Sequence, residues 1–458
     1  MNIIICGAGK VGFSISKQLS VQGHSITVVD QSSELIQKLN ETQDVKGIVG
    51  RATFPSVLEK AGAEDTDMII AVTKNDETNM VICQVAHSIF NITKKIARIR
   101  TQEFLGTKWR KLYGESNLPI DVIISPELEV AKSLQRKLEA PGALDSVPFA
   151  DGKVKVLEIN IGEICPIANT PLSKLTEKFP DLRANILGVI RGDKFVILKK
   201  KDKMLVNDKA FVVVSASQMN TTLSAFGHEE KMAKKILIIG GGNIGFNLAK
   251  NLEADSGGAR VKIIEKDKGR AELIANELNN TIVINGDGLD EDVLKEANIE
   301  EAETILALTS DDEDNIMLSV LAEKNNPNKR TIALVTKQNY GLLQNSLKID
   351  DLVDPRLTTV STILKHVHKG TIETVYTLLD GEYEFIEAEV LETSELISKS
   401  IKDSGLPEEI RIGAIVRDKN IIIPKSDFKF EKKDLVVFLS KREHLPKVES
   451  LFRISSLI

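Results

Sequence analysis

Apolar residues fall along this chain in short unbroken runs separated by stretches of helical spacing. The runs are Ile3-Ile4-Ile5-Cys6, Ile26-Thr27-Val28-Val29, Ile48-Val49, Met68-Ile69-Ile70-Ala71-Val72-Thr73, Ile96-Ala97-Arg98-Ile99 and Val122-Ile123-Ile124. Each is too short for a helix and lacks the polar alternation of a half-exposed strand, so each reads as a strand buried on both faces. Between them Val11, Ile15 and Leu19 recur on one helical face, followed by Leu35 with Leu39 and then by Val57-Leu58. Strands alternating with helices predict a doubly wound parallel sheet. Ser125-Pro126-Glu127 then predicts a helix start, with serine as N-cap, proline at the first position and an acid in the first turn. Pro141-Gly142 ends that helix. Beyond it the texture changes to period-two alternation: Val154 to Ile159, a short helix from Leu172 to Phe179, and three strands between Ile186 and Val214 with turns at Gly192-Asp193 and Asn207-Asp208.

After the polar linker Gly227-His228-Glu229-Glu230-Lys231 the same programme restarts at Lys235. Gly286 answers to Gly50, Ala307-Leu308-Thr309 to Ala71-Val72-Thr73, Ile332-Ala333 to Ile96-Ala97, Pro355 to Pro126 and Lys369-Gly370 to Pro141-Gly142. In the second small segment Phe385 to Val390 alternates, and Gly413 to Asp418 mirrors Gly188 to Asp193. The order is A–B–A′–B′, an internal duplication. Expected domains are 1–124 and 233–354, each a doubly wound parallel sheet, and 141–226 and 371–456, each a small α+β fold.

At 458 residues the chain exceeds one ordinary core. Its 42% hydrophobic and 28% charged residues make a globular composition, and a net charge of −6 gives a nucleic-acid partner no electrostatic support. The densest basic cluster, Lys199-Lys200-Lys201, runs straight into Asp202 and reads as a solvated hairpin end. Cys6, Cys83 and Cys165 share no metal spacing, which fits a reduced cytosolic protein. His366 and His368, two apart on an expected helix, point in different directions, and no metal site is expected. No apolar run nears the roughly 18 residues of a membrane span, and the first strand begins almost at Met1, which leaves no room for a leader. Any membrane role would be that of a bound cytosolic subunit.

The chemistry concentrates after the first strand of each half. Gly7-Ala8-Gly9-Lys10-Val11-Gly12 is a G-x-G-x-x-G turn between strand and helix, closed by Asp30 at the end of the next strand. Gly240-Gly241-Gly242-Asn243-Ile244-Gly245 repeats it and closes on Glu265. The first glycine permits a tight turn, the second lets a pyrophosphate reach the backbone, and the third lets helix and strand pack closely. Helix N–H groups face the phosphates, and the acid takes a ribose diol while repelling a 2′-phosphate. Ligands of such sheets sit outside the carboxyl ends of the strands. There Thr73 and Lys74 either touch the nucleotide or merely open a helix, with Asp76 and Asn79 as capping residues. Thr309 repeats Thr73. Arg98, at the end of an apolar strand, needs a counter-ion: a phosphate, or an acid on the next strand. The second half has Leu334 at that position, and Asp287 where the first has Arg51, so the two sites should differ. No Ser/His/Asp or Cys/His constellation accompanies them, and no catalytic residue is expected.

With these residues laid out, the chain resembles the TrkA family of cytosolic regulatory subunits of bacterial Trk potassium uptake. The resemblance rests on Ile3 to Gly12, Asp76-Glu77-Thr78-Asn79-Met80, Ile96-Ala97-Arg98-Ile99-Arg100, Pro141-Gly142-Ala143-Leu144 and Gly240 to Gly245, and spans essentially the whole chain. It implies two tandem RCK units, each a Rossmann-like nucleotide-binding domain followed by a small RCK C-terminal domain. It also implies a ring of subunits, a tetramer, on the inner face of the membrane beneath a TrkH-like potassium-translocating protein, with no insertion into the bilayer. In this family Gly7, Ala8, Gly9, Lys10 and Val11 would hold a pyrophosphate and Asp30 a ribose, while Thr73, Lys74 and Arg98 would complete the first site. Gly240, Gly241, Gly242, Asn243 and Ile244, with Glu265 and Thr309, would form the second. The implied ligand is NAD or NADH, with ATP and ADP as further effectors of some members. The readings left beside this one are an NAD-dependent oxidoreductase and the regulatory module of another cation transporter.

Overall fold

A computed structural model describes residues 1–452 except 115, 180–181, 193, 230–231, 256–257, 326–328, 345, 368–371, 379–381 and 408. Asp193, Glu230, Lys231, His368, Lys369 and Gly370, all used in the sequence reading, lie outside the described residues, as does the end of the last expected domain. The chain forms two compact units, one of residues 1–135 with 233–366 and the other of residues 136–232 with 367–458.

The first unit contains both parallel sheets. From edge to edge the first runs Lys46–Val49, Ser25–Asp30, Asn2–Cys6, Met68–Ala71, Lys94–Arg98 and Val122–Ile124, the order 3-2-1-4-5-6. Every pairing is parallel, as the uninterrupted Ile/Val runs require. The second sheet repeats that order with Ile282–Asn285, Arg260–Glu265, Lys235–Ile239, Thr304–Ala307, Arg330–Leu334 and Asp351–Val353. The strand order reverses direction between the first and fourth strands of each sheet, and this is the switch point where Rossmann-like folds place ligands. The helix Pro126–Glu139 begins as the sequence predicts, but the Ser125 hydroxyl is buried without a hydrogen-bond partner and so makes no cap. The second-half equivalent, Asp354, does cap its helix by accepting from the Arg356 amide. The helix expected through His366 ends at Lys365, with His366 as its C-cap.

The second unit contains two five-stranded antiparallel sheets of matching order. One runs Lys194–Ile197, Ala184–Arg191, Lys209–Ser215, Val154–Asn160 and Asp145–Phe149, and the other Asn420–Ile422, Arg411–Arg417, Leu435–Lys441, Tyr383–Glu389 and Ile372–Leu378. They share one core, in which Phe149, Phe195 and Phe211 pack with Tyr383, Phe385 and Val437. At Gly413 the backbone comes so close that a Cβ would stand 2.6 Å from a Val213 methyl. Glu387 accepts from the Ala150 amide and Asn185 donates to the Ile412 carbonyl at 2.9 Å.

On the strand Tyr383–Glu389 the side chain of Glu384 is wholly buried, and burial, only partly offset by the Arg442 charge, pushes its carboxyl up to about 7. A raised folded-state value means that the protonated form is favoured on folding. That contribution is complete below the ordinary carboxyl value and is lost as pH rises to about 7. Glu384→Gln is therefore expected to remove this pH dependence and to raise stability at pH 8 by about 3 kcal/mol. Urea unfolding of both proteins across that pH range tests it, and parallel curves would refute it.

Candidate functional site

The glycine turn of the first half does three separable things. Gly7 takes φ +115°, a region closed to most side chains, and its amide donates to the Val29 carbonyl at 2.8 Å. Gly9 is the N-cap of the helix Lys10–Val21, and a Cβ there would meet no atom within 4 Å. Gly12 lies so close beneath the turn that a Cβ would stand 1.8 Å from the Gly7 carbonyl oxygen. Gly240 (φ +110°), Gly242 and Gly245 reproduce the set, with open space above Gly242 and 2.1 Å from a Gly245 Cβ to the Gly240 oxygen.

Neither of these helices has a side-chain cap or an acid in its first turn. The neighbouring helices Ser33–Thr42 and Asp76–Ser88 have both. A helix N-terminus presents unsatisfied N–H groups and a partial positive charge, so leaving it bare in the middle of a sheet edge suits an anion from outside the chain.

Around the first turn lies a cleft of about 560 Å³, lined by Gly7, Gly9, Lys10, Val11, Asp30, Thr73, Lys74 and Arg98 among others. Ala8 and Gly12 of the turn are not among its lining residues; Ala8 is buried and Gly12 packs beneath. Asp30 braces the turn, its Oδ2 accepting from the Ala8 amide at 2.6 Å and its Oδ1 from the Ser32 amide at 2.8 Å. Glu265 does the same in the second half, accepting from Gly241 at 2.7 Å and Asp267 at 2.8 Å. Each acid thus fixes the loop beside which a ribose would lie.

Thr73 takes part in a clamp. Its amide and hydroxyl both donate to Asn79 Oδ1, at 2.9 and 2.7 Å, and Asn79 Nδ2 reaches the Arg98 carbonyl at 2.8 Å. Thr309, Asn315 and Leu334 repeat this arrangement. The recurrence of threonine therefore has a structural reason, since it ties the fourth strand's loop to the end of the fifth strand. Asp76 and Asn79 do not cap the following helix as the sequence suggested. Asn75 does, accepting from the Thr78 amide, while Asp76 accepts from the Arg100 and Thr101 amides. Lys74 and Lys10 are exposed at the cleft.

Arg98 is half-buried. It donates from Nη2 to the Thr73 carbonyl at 2.6 Å, and its buried Nε has no partner. Among the described residues no acid pairs with it, so the next-strand salt bridge is not formed. Burial, with Arg100 nearby, lowers its pKa below the usual arginine value. A desolvated guanidinium with a free donor in a cleft is an anion-seeking group.

The second site differs as the sequence foresaw. Leu334 is buried where Arg98 stands, and Asp287 is paired to Lys266 at 2.7 Å. One difference escaped the sequence reading. Arg270 lies across the second turn, donating from Nε to the Gly241 carbonyl at 2.8 Å and from Nη2 toward Asn243 Oδ1 at 3.3 Å. Leu35 holds the same offset from Asp30, and comparing the two repeats at that offset was the available signal.

Paired Rossmann-like domains bearing glycine turns, each followed by a small α+β domain, define a tandem fold of the RCK type. The TrkA-N domain matches residues 3–126 and 236–355, and the TrkA-C domain matches residues 385–453. The Trk system potassium uptake protein TrkA of Azorhizobium caulinodans is 44% identical over 455 residues, covering 99% of each chain. The protein of that name from Vibrio alginolyticus is 36% identical over 457 residues, again 99% of each. The chain belongs to the TrkA family. Two solved structures share its fold: the GsuK RCK domain (TM-score 0.58, 18% identity, 98% of this chain and 94% of that one) and the GsuK channel bound to NAD (TM-score 0.60, 17% identity, 98% and 78%). Among the described residues no helix is long and apolar enough to cross a membrane.

Proposed function

We propose that this chain is the nucleotide-responsive regulatory subunit of a Trk-type potassium uptake system. It would act from the cytoplasmic face on a TrkH-like membrane subunit as a homotetrameric ring of four-domain chains, with domains at 1–124, 141–226, 233–354 and 371–456. The observation that carries the reading is the uncapped helix N-terminus above Gly9, flanked by Asp30 and by the half-buried Arg98. Its full-length relatives are named potassium uptake proteins, and a structure of the same fold has NAD bound. NAD or NADH is the proposed ligand of the first site, with Gly7 to Val11 at the pyrophosphate, Asp30 at a ribose, and Thr73, Lys74 and Arg98 completing it. ATP and ADP are proposed as competing effectors. The second site, Gly240 to Gly245 with Glu265 and Thr309, would hold a nucleotide more weakly, since Leu334 brings no charge and Arg270 covers part of the turn.

Regulation then requires that the nucleotide bind two arrangements of the ring with different affinity, because equal affinity shifts nothing. Calorimetric titration of wild type and Asp30→Ala with NADH, NAD, ATP and ADP is the test. Binding at least tenfold weaker in the variant, with no turnover of NADH, is the expected outcome. An unchanged affinity would sink the ribose assignment.

A further inference from the structure

One residue lining the first cleft comes from the other half of the chain. Arg356, at the start of the helix Pro355–Lys365, faces the same cleft as Lys10, Asp30 and Arg98. It reaches this position because its helix packs against Lys10–Val21, whose N-terminus opens on the cleft. The guanidinium is held in advance: Nε lies 3.0 Å from Asp354 Oδ1 and Nη2 lies 2.8 Å from Asp354 Oδ2. Its Nη1 has no partner among the described residues. The carboxylate is itself fixed as the helix N-cap.

A cation at a helix N-terminus is disfavoured by the helix dipole, and Asp354 offsets that. The capping acid accounts for the ion pair but leaves Nη1 unused. The repeat does not call for an arginine here either. The corresponding residue of the first half is Glu127, which takes a hydrogen bond from Arg100 Nε at 2.9 Å. With Arg356 the cleft is lined by five cations, the others being Lys10, Arg51, Lys74 and Arg98, against the single acid Asp30. A planar guanidinium held on a carboxylate through Nε and Nη2, with Nη1 to spare, on a residue that lines a cationic cleft is suited to receive a phosphate.

We propose that Arg356, supplied by the second half, is a specificity-determining residue of the first site. It contacts the outer phosphate of a bound nucleotide and so ties occupancy of that site to the contact between the two parallel-sheet domains. The proposal rests on the nucleotide reading of the first site, and the experiment separates the two. The full-length protein, Arg356→Ala, Arg356→Lys and Asp30→Ala are titrated with AMP, ADP and ATP at one ionic strength. Arg356→Ala should weaken ATP roughly tenfold or more and AMP less than about twofold, with partial recovery in Arg356→Lys. Arg356→Gln, which retains a donor toward Asp354, serves if the alanine variant folds poorly. An equal loss for all three nucleotides, or none, overturns the proposal even if Asp30→Ala abolishes binding. A phosphate-graded loss with normal binding by Asp30→Ala upholds Arg356 and removes the ribose assignment instead. Failure of wild type to bind any of the three overturns both.

Discussion

Gly9→Asp is expected to fold at least as well as the wild type and to bind nucleotide more than about a hundredfold more weakly. The two effects have one origin. Gly9 has ordinary extended backbone angles, φ −65° and ψ −178°, and open space where a side chain would begin. Nothing in the fold therefore resists an aspartate. Its carboxylate would accept from the first-turn amides as an ordinary N-cap, a gain of a few tenths of a kcal/mol over glycine. The same carboxylate would take the donors meant for a phosphate and set a negative charge against it. Gly9→Ala, with no charge and little bulk, should lose far less. Calorimetry with NADH and ATP alongside a thermal melt reads both arms. An aspartate variant that still binds tightly would place the phosphate elsewhere in the cleft. One that unfolds would show that the turn is more tightly packed than its geometry indicates.

The parallel sheets were legible because their physical signals are local and repeated. Runs such as Ile3 to Cys6 and Ile236 to Ile239 can be buried on both faces only in a sheet covered by helices, and the glycine turns mark where each sheet begins. The strand Asp145–Phe149 was not legible: it carries Asp145 and Pro148 and reads as a loop. It is an edge strand, the one setting in which proline lacks no ladder partner. The helix Met219–Ala225, sequence MNTTLSA, has no helical periodicity and is set by packing through Thr222 and Leu223. Ser125 illustrates the limit of residue-type reasoning, since a good capping residue is buried there with its hydroxyl unused.

The site divides the same way. Gly7, Gly9 and Asp30 are close in sequence, so spacing alone brought them to one turn, whereas the bracing of that turn by Asp30 was not read from it. Arg98 stood out as a charge in an apolar strand. Arg270 and Arg356 did not, because a cation near a helix start reads as solvated until the fold shows what it faces. Arg356 could not have been placed at all without the contact between halves. What duplication made legible was the scaffold, and what it concealed was the divergence. Both halves keep the turn, the bracing acid and the Thr–Asn clamp, whereas the arginines differ at each site.

Gly12→Ala is expected to destabilise the first parallel-sheet domain by about 3 kcal/mol and to weaken nucleotide binding with it. The added methyl carbon would lie 1.8 Å from the Gly7 carbonyl oxygen and 3.0 Å from its carbon. Both are backbone atoms, so no side-chain rotation relieves the clash. The turn is pinned from the other side, because Gly7 holds the Val29 carbonyl and a Cβ on it would already touch Val72. The helix must therefore lift away from the strand, which opens the packing around buried Ile15 and Leu19 and displaces the N–H groups from the cleft. Gly9→Ala is the matched control: the same chemical change three residues earlier meets open space and should alter stability by less than about 0.5 kcal/mol. Gly245→Ala, 2.1 Å from the Gly240 oxygen, should reproduce the loss in the second half. Urea unfolding of the three variants reads the contrast directly. If Gly12→Ala matches Gly9→Ala, the helix is free to move, and a bound nucleotide rather than the third glycine holds it against the sheet.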